Sequence, residues 1–140
     1  MTIKSIFFLT LSLSLLLFTG CGDNVGLKGK AVFSDDGSPL TTGMVCFEKD
    51  GYLARGNLQP DGTFTVGSLK KSDGLPKGTY RVYITGAEKV IGQSKMGLPL
   101  YEPLIDKKYA AANTSGITID VAPTTKFFEV VVDRCQPLKK

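Results

Sequence analysis

The chain predicts an all-β protein, an antiparallel β-sandwich of seven short strands. Three observations carry this. After residue 26 apolar residues recur at every second position over short runs, the period of a strand with one buried face. Gly, Pro and Asp cluster between the runs, where they favour turns through positive φ, fixed φ and side-chain bonds to the backbone. No later stretch spaces its apolar residues as one face of a helix would. Several short strands, each with one face to bury, are accommodated by two stacked sheets.

Leu27, Ala31 and Phe33 alternate along the first strand, and Asp36-Gly37 with Pro39 then turn the chain. In the second strand Val45 and Phe47 face one way, Met44 and Cys46 the other. Asp50-Gly51 turns it into a weaker third strand over residues 52–58. Pro60-Asp61-Gly62 is a strong turn, followed by a short fourth strand carrying Phe64 and Val66. The loop Gly74-Leu75-Pro76-Lys77-Gly78 leads to the clearest strand, where Tyr80, Val82 and Ile84 alternate with Arg81, Tyr83 and Thr85. Ile117, Ile119 and Val121 form the sixth strand, which Pro123 ends. Phe128, Val130 and Val132 share one face of the seventh. Asp35, Asp36, Asp50, Asp61 and Asp73 sit in the turns and are expected to bond their own backbone. No loop repeats Asp at calcium-ligand spacing.

Residues 86–115 show no strand period and far exceed an ordinary hairpin connection. Met96, Leu98, Leu100, Tyr101, Leu104, Ile105 and Tyr109 predict that the segment packs down as a crossover covering a sheet edge. Long loops on compact domains also carry function. Lys89, Lys95, Tyr101, Lys107 and Lys108 are the candidate binding surface.

Residues 1–20 read as an export signal: Lys4, an apolar run over 6–18, then the small pair Thr19-Gly20. The run is about 13 residues, short of the roughly 20 that span a bilayer. Leu17-Phe18-Thr19-Gly20-Cys21 resembles a bacterial lipobox, with Phe18 where Leu, Val or Ile is usual. The resemblance implies that a diacylglyceryl group alkylates the Cys21 thiol and that Cys21 becomes the first mature residue. Two or more acyl chains hold a protein at a membrane where one binds only reversibly. The implied partner is therefore a membrane and the implied location the cell envelope. Asp23 stands one place after the position of a residue that resembles an inner-membrane retention mark, which favours the outer membrane. Residues 21–26 read as lipidated cysteine and short tether, 27–135 as the domain, and 136–140 as a basic tail. Arg134, Lys139 and Lys140 at this end are expected to be solvated.

The 17 basic and 13 acidic residues are interspersed, so no electrostatic footprint for nucleic acid is present. There is no His, which excludes Ser-His-Asp and Cys-His arrangements and imidazole-held metals. No metal or cofactor is expected. Cys46 and Cys135 are either a disulfide, which would close a long loop and contribute about 4 kcal/mol, or two separate thiols. Neither shows the electropositive neighbourhood that a reactive thiol needs. Without Trp, stacking on a sugar falls to Tyr52, Tyr83 and Tyr101, since Tyr80 and Tyr109 face inward.

Leu27-x-Gly29-x-Ala31-x-Phe33, Asp36-Gly37-x-Pro39-Leu40 and Gly43-x-Val45-x-Phe47 resemble the start of a carboxypeptidase regulatory-like domain. Asp61-Gly62-x-Phe64-x-Val66 and Pro76-x-Gly78-x-Tyr80-x-Val82-x-Ile84 continue it. Lys108-Tyr109, Thr114-Ser115-Gly116-Ile117-Thr118 and Phe128-x-Val130 are similar to small lipoproteins abundant in planctomycetes. The resemblance covers nearly all of residues 27–132. Ala31 is smaller than the usual Val, and Cys46 and Cys135 lie outside the pattern. It implies a transthyretin-like, Ig-like sandwich without catalytic activity. The function expected is a non-catalytic, lipid-anchored envelope module that binds an envelope protein or polysaccharide through residues 86–115 or a sheet edge. The alternative is a purely structural envelope lipoprotein with no specific ligand.

Overall fold

The computed structural model describes residues 23–136; the expected export signal, Cys21 and the last four residues lie outside the described residues. Among the described residues nine strands form: β1 (Lys28–Phe33), β2 (Met44–Lys49), β3 (Tyr52–Asn57), β4 (Thr63–Thr65), β5 (Gly78–Thr85), β6 (Glu88–Gln93), β7 (Pro99–Pro103), β8 (Ile117–Val121) and β9 (Phe127–Val132). One sheet has the order β4-β1-β9 and a second β3-β2-β5-β8, while β6 and β7 pair only with each other.

The two larger sheets bury one core between them. Ala31, Phe64, Val130 and Val132 from the first meet Val45, Phe47, Tyr80, Val82 and Ile84 from the second. The alternation in β5 explains this directly: Tyr80, Val82 and Ile84 are buried, and Thr79 and Arg81 are exposed. Phe47 spans the gap, its ring 6.1 Å from that of Phe64 and 6.4 Å from that of Phe128. The Tyr80 hydroxyl donates to the Pro76 carbonyl at 2.7 Å, so the one polar atom of this buried ring is satisfied and ties β5 to its preceding loop.

Two of the turn aspartates, Asp36 and Asp61, behave as their positions require, whereas Asp50 turns the chain through its own positive φ of 47°. Asp36 Oδ1 accepts from the Ser38 amide at 2.9 Å and its hydroxyl at 2.6 Å. Asp61 does the same for Thr63, at 3.0 and 2.6 Å.

Three features depart from the sequence expectation. First, β1 and β9 run parallel, from Lys28 opposite Phe127 to Phe33 opposite Val132. Residues 122–126 carry the chain from one sheet to the other, so the first and last of the described strands share a sheet and a direction. Alternation reports the buried face of a strand and says nothing of its neighbour's direction. Second, the domain starts earlier than residue 27. Val25 is buried, and it exchanges backbone bonds with Leu75 at 2.8 and 3.1 Å. Third, β6 and β7 lie inside the segment that shows no period.

Candidate functional site

The β6–β7 hairpin is the main projection from the sandwich. Its turn is Ser94-Lys95-Met96-Gly97, with Gly97 at φ 79°, a conformation that glycine adopts without strain. The Gly97 amide donates to the Ser94 carbonyl at 2.9 Å and the Ser94 amide to the Leu98 carbonyl at 2.8 Å. Val90 stands opposite Tyr101, and Lys89 opposite Glu102 with 2.7 Å between Nζ and Oε2. The register shifts between Val90 and Gly92, leaving Ile91 as a bulge. Every residue of both strands is exposed. Val90, Ile91, Met96, Leu98, Leu100 and Tyr101 are most of the large apolar side chains exposed in the described residues.

The expectation that this segment packs down therefore holds only for its second part. Met96, Leu98, Leu100 and Tyr101 are exposed, while Ile105 and Tyr109 are buried and Leu104 packs partly against the core. A two-stranded ribbon has no third layer to cover it, so its apolar residues stay out. The readable signal was a turn with Gly at its left-handed position between Val90-Ile91 and Leu98-x-Leu100.

The root of the hairpin is firmly held. The Leu104 amide donates to the Ala87 carbonyl at 2.9 Å. The Asp106 amide donates to the Asp133 carbonyl and the Cys135 amide to the Leu104 carbonyl, both at 3.0 Å, so residues 104–106 cover the edge beyond β9. A cleft of about 250 Å³ lies at the root, between Ile84–Glu88 and Pro103–Ala110. The 3-10 turn Lys107–Ala110 follows. Asp133 Oδ2 accepts from Lys108 Nζ at 2.7 Å and from the Tyr109 hydroxyl at 2.8 Å, and its Oδ1 from Ser34 at 2.6 Å. The Lys108 ammonium and these hydroxyls hold the Asp133 carboxyl well below the usual range. Asp133 in turn raises Lys108. Lys108 is thus committed to this network, and Lys89 is paired with Glu102. Lys95 is exposed at the hairpin tip, and Lys107 at the root.

Arg134, expected to be a solvated end residue, is a clamp. Its guanidinium lies 3.7 Å from the Phe33 ring centroid, with Nε 2.7 Å from Asp35 and Nη2 3.0 Å from Asp36 and 2.7 Å from the Ser38 hydroxyl. The Ser38 hydroxyl and amide, helped by Arg134, lower the Asp36 pKa from 3.8 to about 2. The folded state therefore binds this proton more weakly than the unfolded state. The stabilisation is present above pH 3.8 and is lost as pH falls through about 2. Urea unfolding followed at pH 4 and pH 2 should show a lower midpoint at pH 2. Asp36→Asn should reduce that drop, and an unchanged drop would remove Asp36 from the account.

Cys46 and Cys135 are both free thiols. Cys46 lies in β2 between Arg55 of β3 and Tyr83 of β5, on the face away from the core as read. It is nonetheless only 3% exposed, because cross-strand neighbours cover it, and this desolvation raises its pKa. Cys135 lies beyond the end of β9, which belongs to the other sheet, so the two cysteines sit on separate parts of the sandwich. Among the tyrosines, Tyr52 packs edge-on against Tyr80 at 6.3 Å and Tyr83 is half-buried, which leaves Tyr101 with an open face. Tyr80 and Tyr109 are buried. Among the described residues no group of three or more Cys, Asp or Glu is placed to hold a metal, and no helix is long and apolar enough to cross a membrane.

No family model matches the chain, and no curated protein matches it. Among solved structures it is similar to BcpA, the major pilin subunit of Bacillus cereus, at 11% identity and a TM-score of 0.46. The match covers 81% of this chain and 30% of the pilin, so the chain spans less than a third of that protein's length. A likeness of this degree carries no argument about function.

Proposed function

We propose that the protein is a non-catalytic, lipid-anchored module of the cell envelope, a transthyretin-like, Ig-like sandwich of the carboxypeptidase regulatory-like type, that binds a partner through the β6–β7 hairpin. One observation carries the binding surface. The hairpin exposes both faces and six large apolar side chains. An isolated two-stranded ribbon is marginal in water. Its free edges and apolar faces fit a partner that adds a strand or a covering layer. The partner is an envelope protein or polysaccharide, and Tyr101 is the stacking face available to the latter.

The Ala87–Leu104 bond makes excision practicable, because it brings the two ends together. Replacing residues 88–103 by a short glycine link should change folding stability by less than about 1 kcal/mol, since nothing removed is buried. Crosslinking on native membranes should then recover no partner. Unchanged recovery would overturn the hairpin as the binding surface, and generic crosslinks alone from the unaltered protein would favour the purely structural reading.

The anchor has its own test. Cys21→Ser should move the exported protein from the membrane to the soluble fraction, because the acyl chains hold it there. Retention in the membrane after this change would remove Cys21 as the attachment point.

A further inference from the structure

We infer that a second site, separate from the hairpin, is a cleft for an acidic polysaccharide. The cleft has a volume of about 860 Å³, within the range of functional ligand sites. It opens where the chain leaves β4 and Gly67 exchanges backbone bonds with Arg55 of β3 at 2.7 and 2.8 Å.

The wall that follows is built rather than loose. Gly67 is required there, since a Cβ would lie 2.4 Å from the Lys70 carbonyl oxygen and 2.6 Å from the Ser72 amide nitrogen. The loop winds around Asp73, whose carboxylate accepts from the amides of Ser68, Leu69 and Lys70 at 2.6, 3.2 and 3.0 Å. The negative charge of Asp73 is therefore spent on the loop's own backbone. Lys70 and Lys71 stand on the cleft side with Lys28 of β1 and Arg55 of β3, and no Asp or Glu lines the cleft. Among the described residues none of these four cations is in an ion pair, whereas Arg81, Lys89, Lys108 and Arg134 all are. A concave surface lined by one sign of charge concentrates anions.

The remaining lining selects among anions. Asn57, Gln59 and Thr65 supply uncharged donors and acceptors of the kind that meet sugar hydroxyls. Phe127, 59% exposed and opposite Lys28 in the β1–β9 register, offers an aromatic face at the cleft. An apolar ring face matches the C–H face of a pyranose and has no counterpart in a bare phosphate chain. Cations, amides, hydroxyls and one open ring together fit a chain of uronate or sulfated sugars.

The test is calorimetric titration of the full chain, extracted in detergent, with an oligomannuronate, a neutral mannan oligomer of equal length, and inorganic polyphosphate. The oligomannuronate should bind at least ~10-fold more tightly than the neutral oligomer, and more weakly as salt is raised. Lys70→Gln with Lys71→Gln, and separately Phe127→Ala, should each weaken it by roughly 10-fold. Arg55→Gln is the second charge variant, and far-UV dichroism reports whether each is folded. Absence of oligomannuronate binding, equal binding of the neutral oligomer, or polyphosphate binding as tight and indifferent to Phe127→Ala would each overturn the assignment. The hairpin-excised protein should bind the oligomannuronate unchanged, which separates failure of this site from failure of the hairpin, and loss of binding there would overturn the separateness of the two.

Discussion

Phe47→Ala should cost about 4 kcal/mol, within the range for deleting a fully buried aromatic ring. Phe47 is 0% exposed and belongs to β2, yet its ring packs on Phe64 of β4 and Phe128 of β9. It is therefore a direct contact between the two sheets, and removing it opens a cavity at their joint. A domain of this size has a total stability of roughly 5–15 kcal/mol, so the loss is a large fraction of the whole. Urea denaturation of the two proteins measures this. A loss below about 1.5 kcal/mol would mean that the gap collapses freely around the missing ring and that the aromatic contact does not join the sheets.

Gly29→Ala should be nearly as damaging, by the opposite mechanism. A Cβ at Gly29 would lie 2.3 Å from the Phe128 carbonyl oxygen and 2.3 Å from the tip of the Phe64 ring. The ring could move, but the carbonyl belongs to the backbone of β9, which pairs with β1 along its whole length. Overpacking of this kind typically costs 1–3 kcal/mol, and because backbone is involved the upper end, about 3 kcal/mol, is expected. Gly26→Ala is the control. Its added methyl meets nothing within 4 Å and should change stability by less than about 0.5 kcal/mol. Combining Gly29→Ala with Phe64→Leu should recover part of the loss, since it relieves the ring contact but leaves the carbonyl in place. Complete additivity of the two changes would refute the proposed crowding.

Much of the framework was legible from the residues alone. The seven alternating segments all became strands of the two packed sheets, and Tyr80, Val82 and Ile84 are buried as their period requires. Asp36 and Asp61 bond the residues two places on, as turn aspartates do. These features are local: periodicity depends on which side of a strand a residue projects, and an Asp turn needs only the next two amides. The β6–β7 hairpin was less legible, because its apolar residues occupy both faces and a bulge at Ile91 breaks the period. Of the predicted surface residues, Lys89, Lys95 and Tyr101 share the hairpin, but Lys108 serves Asp133 instead.

By itself, then, the sequence determined the all-β class, the buried face of each core strand, the turn chemistry and the lack of any imidazole. The tertiary structure alone decided the parallel β1–β9 pair, the burial of Cys46 on an outer face, the Arg134 clamp on Phe33 and Asp35-Asp36, and the gathering of Lys28, Arg55, Lys70 and Lys71 around one cleft. The reason is sequence separation. Arg134 and Asp35 are 99 positions apart, and no pattern along a chain encodes which distant segments the closing of two sheets will bring into contact.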